Sequence, residues 1–256
     1  MTENINIKTS YNNVIIILVE PAGPLNVGSV ARVMKNFGLS KLILVNPQCD
    51  RTSEDALKMA VHGKDILESA IIVDTLPQAL QGSVRAVATM GREYSGELPL
   101  ETPRTALPWL LAEVEKPVAL IFGREDRGLT NEELNYAHKL VFIPTNSEYP
   151  SLNLATAVSI CCYELSQSTN LFTDQNIPNS EIASLDAMEG YYQQLESLLL
   201  SIGYIYPHTA ASRMERFRHL YNRAYLQTAE VGMLRGILRQ AQWAINRQKP
   251  EKRDPI

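Results

Sequence analysis

Three short stretches of this 256-residue chain hold residue types whose spacing could do chemistry. The first is Asn26-Val27-Gly28-Ser29-Val30-Ala31-Arg32, an N-x-G-x-x-x-R pattern that follows the aliphatic run Val14–Val19. A loop in that place could cradle a phosphate. However, G-x-G-x-x-G is absent, and Gly23 and Gly28 have Walker spacing with Ser29-Val30 where Lys-Ser/Thr is required. Both nucleotide-loop readings fail. At ~100° per residue Val27, Val30, Ala31, Met34 and Phe37 form an apolar stripe and Arg32 stands off it. Arg32 is therefore either a solvated surface arginine or a cation near the C-terminal edge of a sheet, where open α/β folds bind ligands.

The second stretch is Phe122-Gly123-Arg124-Glu125-Asp126-Arg127-Gly128-Leu129. A strand that ends in glycine and then charge allows close approach of backbone to a ligand. Arg124 and Glu125 serve either as an ion pair that shapes the loop or as substrate contacts. Thr130 and Glu133 have capping-box spacing, which gives Glu133 a structural role. The third stretch begins at Ile143-Pro144 and ends in Pro150-Ser151-Leu152-Asn153-Leu154-Ala155. Ser151 is placed to cap the helix that follows, whose free amides and positive dipole end suit a carboxylate or phosphate, and Asn153 adds a side-chain amide. A plain N-cap accounts for Ser151 equally well.

The elements that must position these loops alternate. Near-continuous aliphatic runs at 14–19, 42–45, 71–73, 84–88, 118–122 and 140–143 read as strands buried on both faces. Helical patterns at 27–37, 53–60, 105–115 and 131–138 lie between them, and a long one covers 152–167. This alternation predicts an α/β domain over residues 14–168 with a mostly parallel, six-stranded sheet. A flexible lead-in (1–13) precedes it. A polar, turn-rich linker (169–180) follows, then a helical extension (181–247) and a flexible tail (248–256).

Composition narrows the class. At 45% hydrophobic with no sustained repeat, the chain is neither disordered nor fibrous. Its longest aliphatic run is far short of the ~20 residues of a membrane helix. The polar N-terminus is unlike a signal peptide. Three cysteines (Cys49, Cys161, Cys162), two of them adjacent, make a disulfide framework improbable and a reducing cytoplasm the expected setting. The four histidines show no metal-ligand spacing, so no metal is expected. Net charge is −4, yet residues 207–249 hold 8 basic against 2 acidic residues, so only that end suits a polyanion. There Arg213, Arg216 and Arg223 share an ~80° helical arc beside Met214, Phe217, Leu220 and Tyr221, and Arg235 and Arg239 form an i,i+4 pair. The arc is either the charged face of a helical bundle or a phosphate-tracking surface.

Taken together and in this order, N-x-G-x-x-x-R, F-G-R-E-x-x-G-L and I-P with S-L-N-L-A resemble the loops of the SPOUT class of RNA methyltransferases, in its SpoU/TrmH family. The likeness covers about residues 14–168 and is strongest to bacterial members that methylate a ribose 2′-hydroxyl at position thirty-two of the tRNA anticodon loop. It implies a deep trefoil knot at the C-terminal end of the α/β domain, a homodimer with its active site near the subunit interface, and S-adenosyl-L-methionine as cofactor. It implies that Thr89, Met90, Gly91, Gly123, Ile143, Pro150, Ser151 and Leu152 contact the methyl donor. It also implies that Arg32, Asn26, Ser151 and Asn153 serve catalysis, and that Arg32, Arg124, Glu125, Arg213, Arg216 and Arg223 meet tRNA. Pro150 departs from the small polar residue usual there and has no N–H to offer. An RNA-binding member without turnover, or a methyltransferase acting on another nucleotide of tRNA or rRNA, are the alternatives the resemblance leaves.

Overall fold

The computed structural model describes residues 11–91, 100–113, 115–168 and 182–248, so the linker and most of the lead-in and tail lie outside the described residues. The chain divides into two compact units, 1–178 and 179–256. In the first, β1 (Val14–Val19), α1 (Pro24–Asn36), β2 (Lys41–Val45) and α2 (Glu54–Ala60) lead through a 3-10 turn (Val61–Gly63) into α3 (Lys64–Ser69) and β3 (Ile71–Val73). Then come α4 (Leu76–Ala79), β4 (Arg85–Met90), β5 (Leu100–Glu101), α5 (Pro103–Leu111), β6 (Val118–Phe122), α6 (Asn131–Leu134), β7 (Lys139–Phe142) and α7 (Leu154–Ser168).

The sheet has seven strands in the order β3-β2-β1-β6-β4-β7-β5, and every pairing is parallel. All residues of β1 and β6 are buried, as aliphatic runs covered on both faces require. Winding reverses between β1 and β6, so the loops after β1, β6, β4 and β7 gather at one edge. The seventh strand corrects the expectation of six. β5 is a two-residue edge strand, too short to leave a pattern, and Glu101 ties it to Lys139 of β7 at 2.8 Å.

Three further differences have local causes. α1 starts at Pro24 rather than Val27, because proline suits the first helical position and its missing N–H costs nothing there. α6 is one turn and not two: His138 N–H bonds the Ala86 carbonyl at 2.9 Å, drawing the chain into β7. The lead-in is anchored before residue 14, since Tyr11 is buried and its hydroxyl donates to the Leu165 carbonyl at 3.1 Å.

The second unit packs α8 (Leu185–Ser201), α9 (Ala210–Asn222) and α10 (Thr228–Gln248) around Tyr191, Tyr192, Leu195, Met214 and Val231. α8 begins at 185, not 181, because the Ser184 hydroxyl caps it by accepting from Ala187 N–H. Inside this core the Tyr192 hydroxyl donates to Asn222 at 2.8 Å. Arg218 grips Glu189 through two bonds of 2.7 and 3.0 Å. No described helix is long and apolar enough to cross a membrane.

Candidate active site

The loop after β6 closes on itself. Gly128 N–H donates to the Arg124 carbonyl at 2.8 Å, and Gly128 adopts φ +70°, a conformation glycine takes without steric cost. A Cβ at Gly123 would sit 2.2 Å from the Gly128 carbonyl carbon, so the first glycine of the motif is needed for the closure itself. Arg127 braces the loop from outside, bonding both Glu133 oxygens at 3.0 Å and Glu20 at 2.9 Å. Thr130 and Glu133 form the expected capping box of α6.

Glu125 is the junction of the three motifs. Its carboxylate accepts from Ala22 N–H at 2.9 Å, Gly23 N–H at 3.1 Å and the Asn26 side-chain amide at 2.9 Å. Asn26 Oδ1 in turn accepts from Asn153 Nδ2 at 2.9 Å. Asn153 Oδ1 accepts from Ala155 N–H at 2.9 Å, capping α7. A continuous chain of bonds thus runs from the loop after β6, through the start of α1, to the start of α7. The helix cap is therefore Asn153 and not Ser151; Asn is as good a cap as Ser, and it stands directly before the first helical residue. Ser151 is exposed, with no hydrogen bond among the described residues.

Burial alone would raise the Glu125 pKa, but the bonds from Ala22, Asn26 and Gly23 outweigh it and hold the carboxyl below its ordinary value of 4.5. A lowered folded pKa means the stabilisation is present above about pH 4.5 and is lost as pH falls through the folded value. Glu125→Gln should therefore cost about 2 kcal/mol at pH 7, the scale of a charge-assisted bond. Melting curves of the two proteins should converge toward pH 3. A constant gap across that range would show that the ionised carboxylate is not what holds the loops.

All eight residues that the resemblance assigns to the methyl donor line one cavity of about 280 Å³. The end of β4 supplies Thr89, Met90 and Gly91, the β6 loop supplies Gly123, and Ile143, Pro150, Ser151 and Leu152 close the far side. Thr89 is fixed by a 3.1 Å bond from its hydroxyl to the Ile121 carbonyl. The Pro150 carbonyl accepts from the Thr145 hydroxyl at 3.0 Å. Arg124 and Glu125 also line the cavity, but Arg124 pairs with Asp126 at 2.9 Å and Glu125 is committed to residues 22–26. These are the shaping roles of the two readings open at Arg124 and Glu125.

Arg32 is not in the lining. It lies six residues beyond Asn26 on α1, ~9 Å along the axis, exposed and without hydrogen bond or ion pair among the described residues. Gly28 of the same motif serves helix packing: a Cβ there would meet the Ala56 carbonyl oxygen at 2.3 Å, so α1 and α2 could not approach as they do. Arg213, Arg216 and Arg223 are likewise exposed on or just beyond α9, without hydrogen bond or ion pair among the described residues, whereas Arg218 is internal to the fold. Leu220, expected in the apolar arc, is instead exposed. His138 is buried and accepts from Ala86 N–H through Nδ1; burial, aided by Arg85, lowers its pKa to about 4, so it is neutral. Burial raises the Cys161 and Cys162 thiols, as expected of small core residues. Among the described residues no cluster of His, Cys, Asp and Glu could hold a metal ion.

Residues 13–163 match the SpoU rRNA methylase family, and residues 186–253 match the C-terminal domain of the tRNA methyltransferase TrmJ. The chain is 42% identical over 235 residues to the tRNA (cytidine/uridine-2′-O-)-methyltransferase TrmJ of Pectobacterium atrosepticum, covering 90% of this chain and 97% of that protein. It is 38% identical over 239 residues to the tRNA (cytidine/uridine/adenosine-2′-O-)-methyltransferase TrmJ of Pseudomonas aeruginosa, covering 89% and 93%. The crystal structure of TrmJ from Z. mobilis ZM4 superposes with a TM-score of 0.79 at 30% identity, covering 89% of this chain and 98% of that one.

Proposed function

The chain belongs to the SpoU rRNA methylase family, and on that premise we propose that it transfers a methyl group from S-adenosyl-L-methionine to a ribose 2′-hydroxyl of tRNA, at nucleotide thirty-two of the anticodon loop. The observation that carries the proposal is one cavity lined by the second and third motifs, to which the first motif is tied through the Glu125–Asn26–Asn153 relay. The relatives named for tRNA ribose methylation support the substrate class.

The cavity suits the donor. Its volume lies near the low end of the ~300–1,000 Å³ of small-molecule sites, and Met90, Ile143 and Leu152 offer apolar walls for a nucleoside. Among the described residues nothing lies within 4 Å of the place a Cβ would take at Gly91. Bound there, the donor supplies a methyl group on a sulfonium that carries its own leaving group. The chain's part is mainly alignment, which can supply much of the rate of an in-line displacement. Glu125 and Asn26 act as positioning residues that hold the β6 loop against α1, and Asn153 fixes the start of α7. Arginine is a poor base at pKa above 12, so Arg32 grips a phosphate beside the target and stabilises negative charge developing on the 2′-oxygen. A phosphate oxygen then takes the 2′-OH proton, directly or through the Ser151 hydroxyl, which accepts it while passing its own proton on. Because Arg32 lies outside the cavity, this role requires the RNA, in a homodimer with the site near its interface, to span from cavity to α1. The trefoil knot and the cytoplasmic setting belong to the same reading, as does a tRNA-docking role for the second unit through Arg213, Arg216 and Arg223.

S-Adenosylhomocysteine should raise the melting temperature of the chain, and Gly123→Ala, which forces open the β6 loop, should remove the increase. A chain whose melting temperature ignores S-adenosylhomocysteine at millimolar concentration does not use this donor.

A further inference from the structure

We propose that a groove between α8 and α10 holds the phosphate backbone of the RNA substrate, through Arg235 and Arg239. The proposal rests on the tRNA reading above and names a site within it. The groove encloses about 360 Å³ and is lined from α8 by Gly190, Gln193 and Gln194, and from α10 by Arg235, Arg239 and Gln242. Positions 190, 193 and 194 on one helix and 235, 239 and 242 on the other are i,i+3/i+4/i+7 stripes, so each helix turns these polar positions toward it, beside Leu198 and Leu238. Among the described residues no carboxylate lines it.

Arg235 is positioned for an anion. Gln194 accepts from its Nε at 2.9 Å and fixes the plane of the guanidinium. The group lies over Gly190, where even a Cβ would touch it at 3.4–3.6 Å, so a larger side chain there would cover it. Its Nη donors have no partner among the described residues, and Arg239 stands exposed one turn further along, ~5.4 Å up the axis. Arg218 of the same unit shows the contrast. It is held bidentately by Glu189 and stacked over Tyr192 at 4.5 Å, so its charge is neutralised within the fold. Two cations with planar donors, neutral amides around them and no internal counter-ion among the described residues match the non-bridging oxygens of successive phosphates.

The test is binding of bulk unmodified tRNA to the full chain at several salt concentrations. Arg235→Gln with Arg239→Gln should weaken affinity at least tenfold near 0.1 M salt and flatten the slope of log K against log salt by about 2. Gln194→Glu, an isosteric change that turns the acceptor of the Arg235 Nε bond into a carboxylate, should weaken binding in the same direction without lowering the melting temperature. In each variant S-adenosylhomocysteine affinity should match wild type. Variants that fold as wild type and keep its affinity and salt slope overturn the groove, as does a change confined to oligomeric state. If wild type binds tRNA in that experiment, the groove alone has failed; if wild type binds no tRNA, the substrate reading has failed with it.

Discussion

Arg32→Ala should lower methyl transfer to tRNA by about 10²–10³-fold, the cost of removing one donor to a developing oxyanion, while leaving the affinity for S-adenosylhomocysteine unchanged. The separation follows from geometry: Arg32 is exposed on α1 and takes no part in lining the cavity, so its loss leaves the donor's walls intact. Arg32→Lys should keep more activity than Arg32→Ala, because a positive charge remains even though the planar fork is lost. Equal loss in both variants, with tRNA binding retained, would exclude a simple charge role and point to a bidentate or orienting one. Steady-state rates at saturating donor, with separate tRNA affinities, distinguish these outcomes.

Truncation after Gln167 should leave S-adenosylhomocysteine binding intact and reduce methylation of full-length tRNA, at low enzyme concentration, on the order of 10³-fold. Every cavity residue lies before that point, and the first unit has its own buried sheet. What the truncation removes is the basic segment, with Arg213, Arg216, Arg223, Arg235 and Arg239 unpaired among the described residues. Contacts to several phosphates set affinity without reading sequence, so the loss should appear as a raised tRNA requirement that steepens with salt. Full activity of the truncated chain at low concentration would place substrate docking in the first unit instead.

Strands were legible because burial on both faces leaves uninterrupted aliphatic runs: Val14–Val19 and Val118–Phe122 were read with the bounds the structure gives them. The capping box at Thr130 and Glu133 was legible because its geometry is local, three residues apart. The relay was not. Glu125 lies 99 residues from Asn26, and Asn153 lies 127 from it, so nothing in either neighbourhood shows that these side chains meet. Nor could the sequence show which groups Arg124 and Glu125 pair with. Ser151 and Asn153 are both good caps, and only the register of α7 separates them. Short elements such as α3, α4 and β5 escaped because two to six residues hold too little of any period.

The most direct test of the central claim is methyl incorporation from labelled S-adenosylmethionine into bulk unmodified tRNA, followed by nuclease mapping of the product. A 2′-O-methyl mark at position thirty-two of the anticodon loop, lost with Arg32→Ala, is the predicted result. A mark on a base, a mark elsewhere in the RNA, or no incorporation by a chain that binds S-adenosylhomocysteine would contradict it.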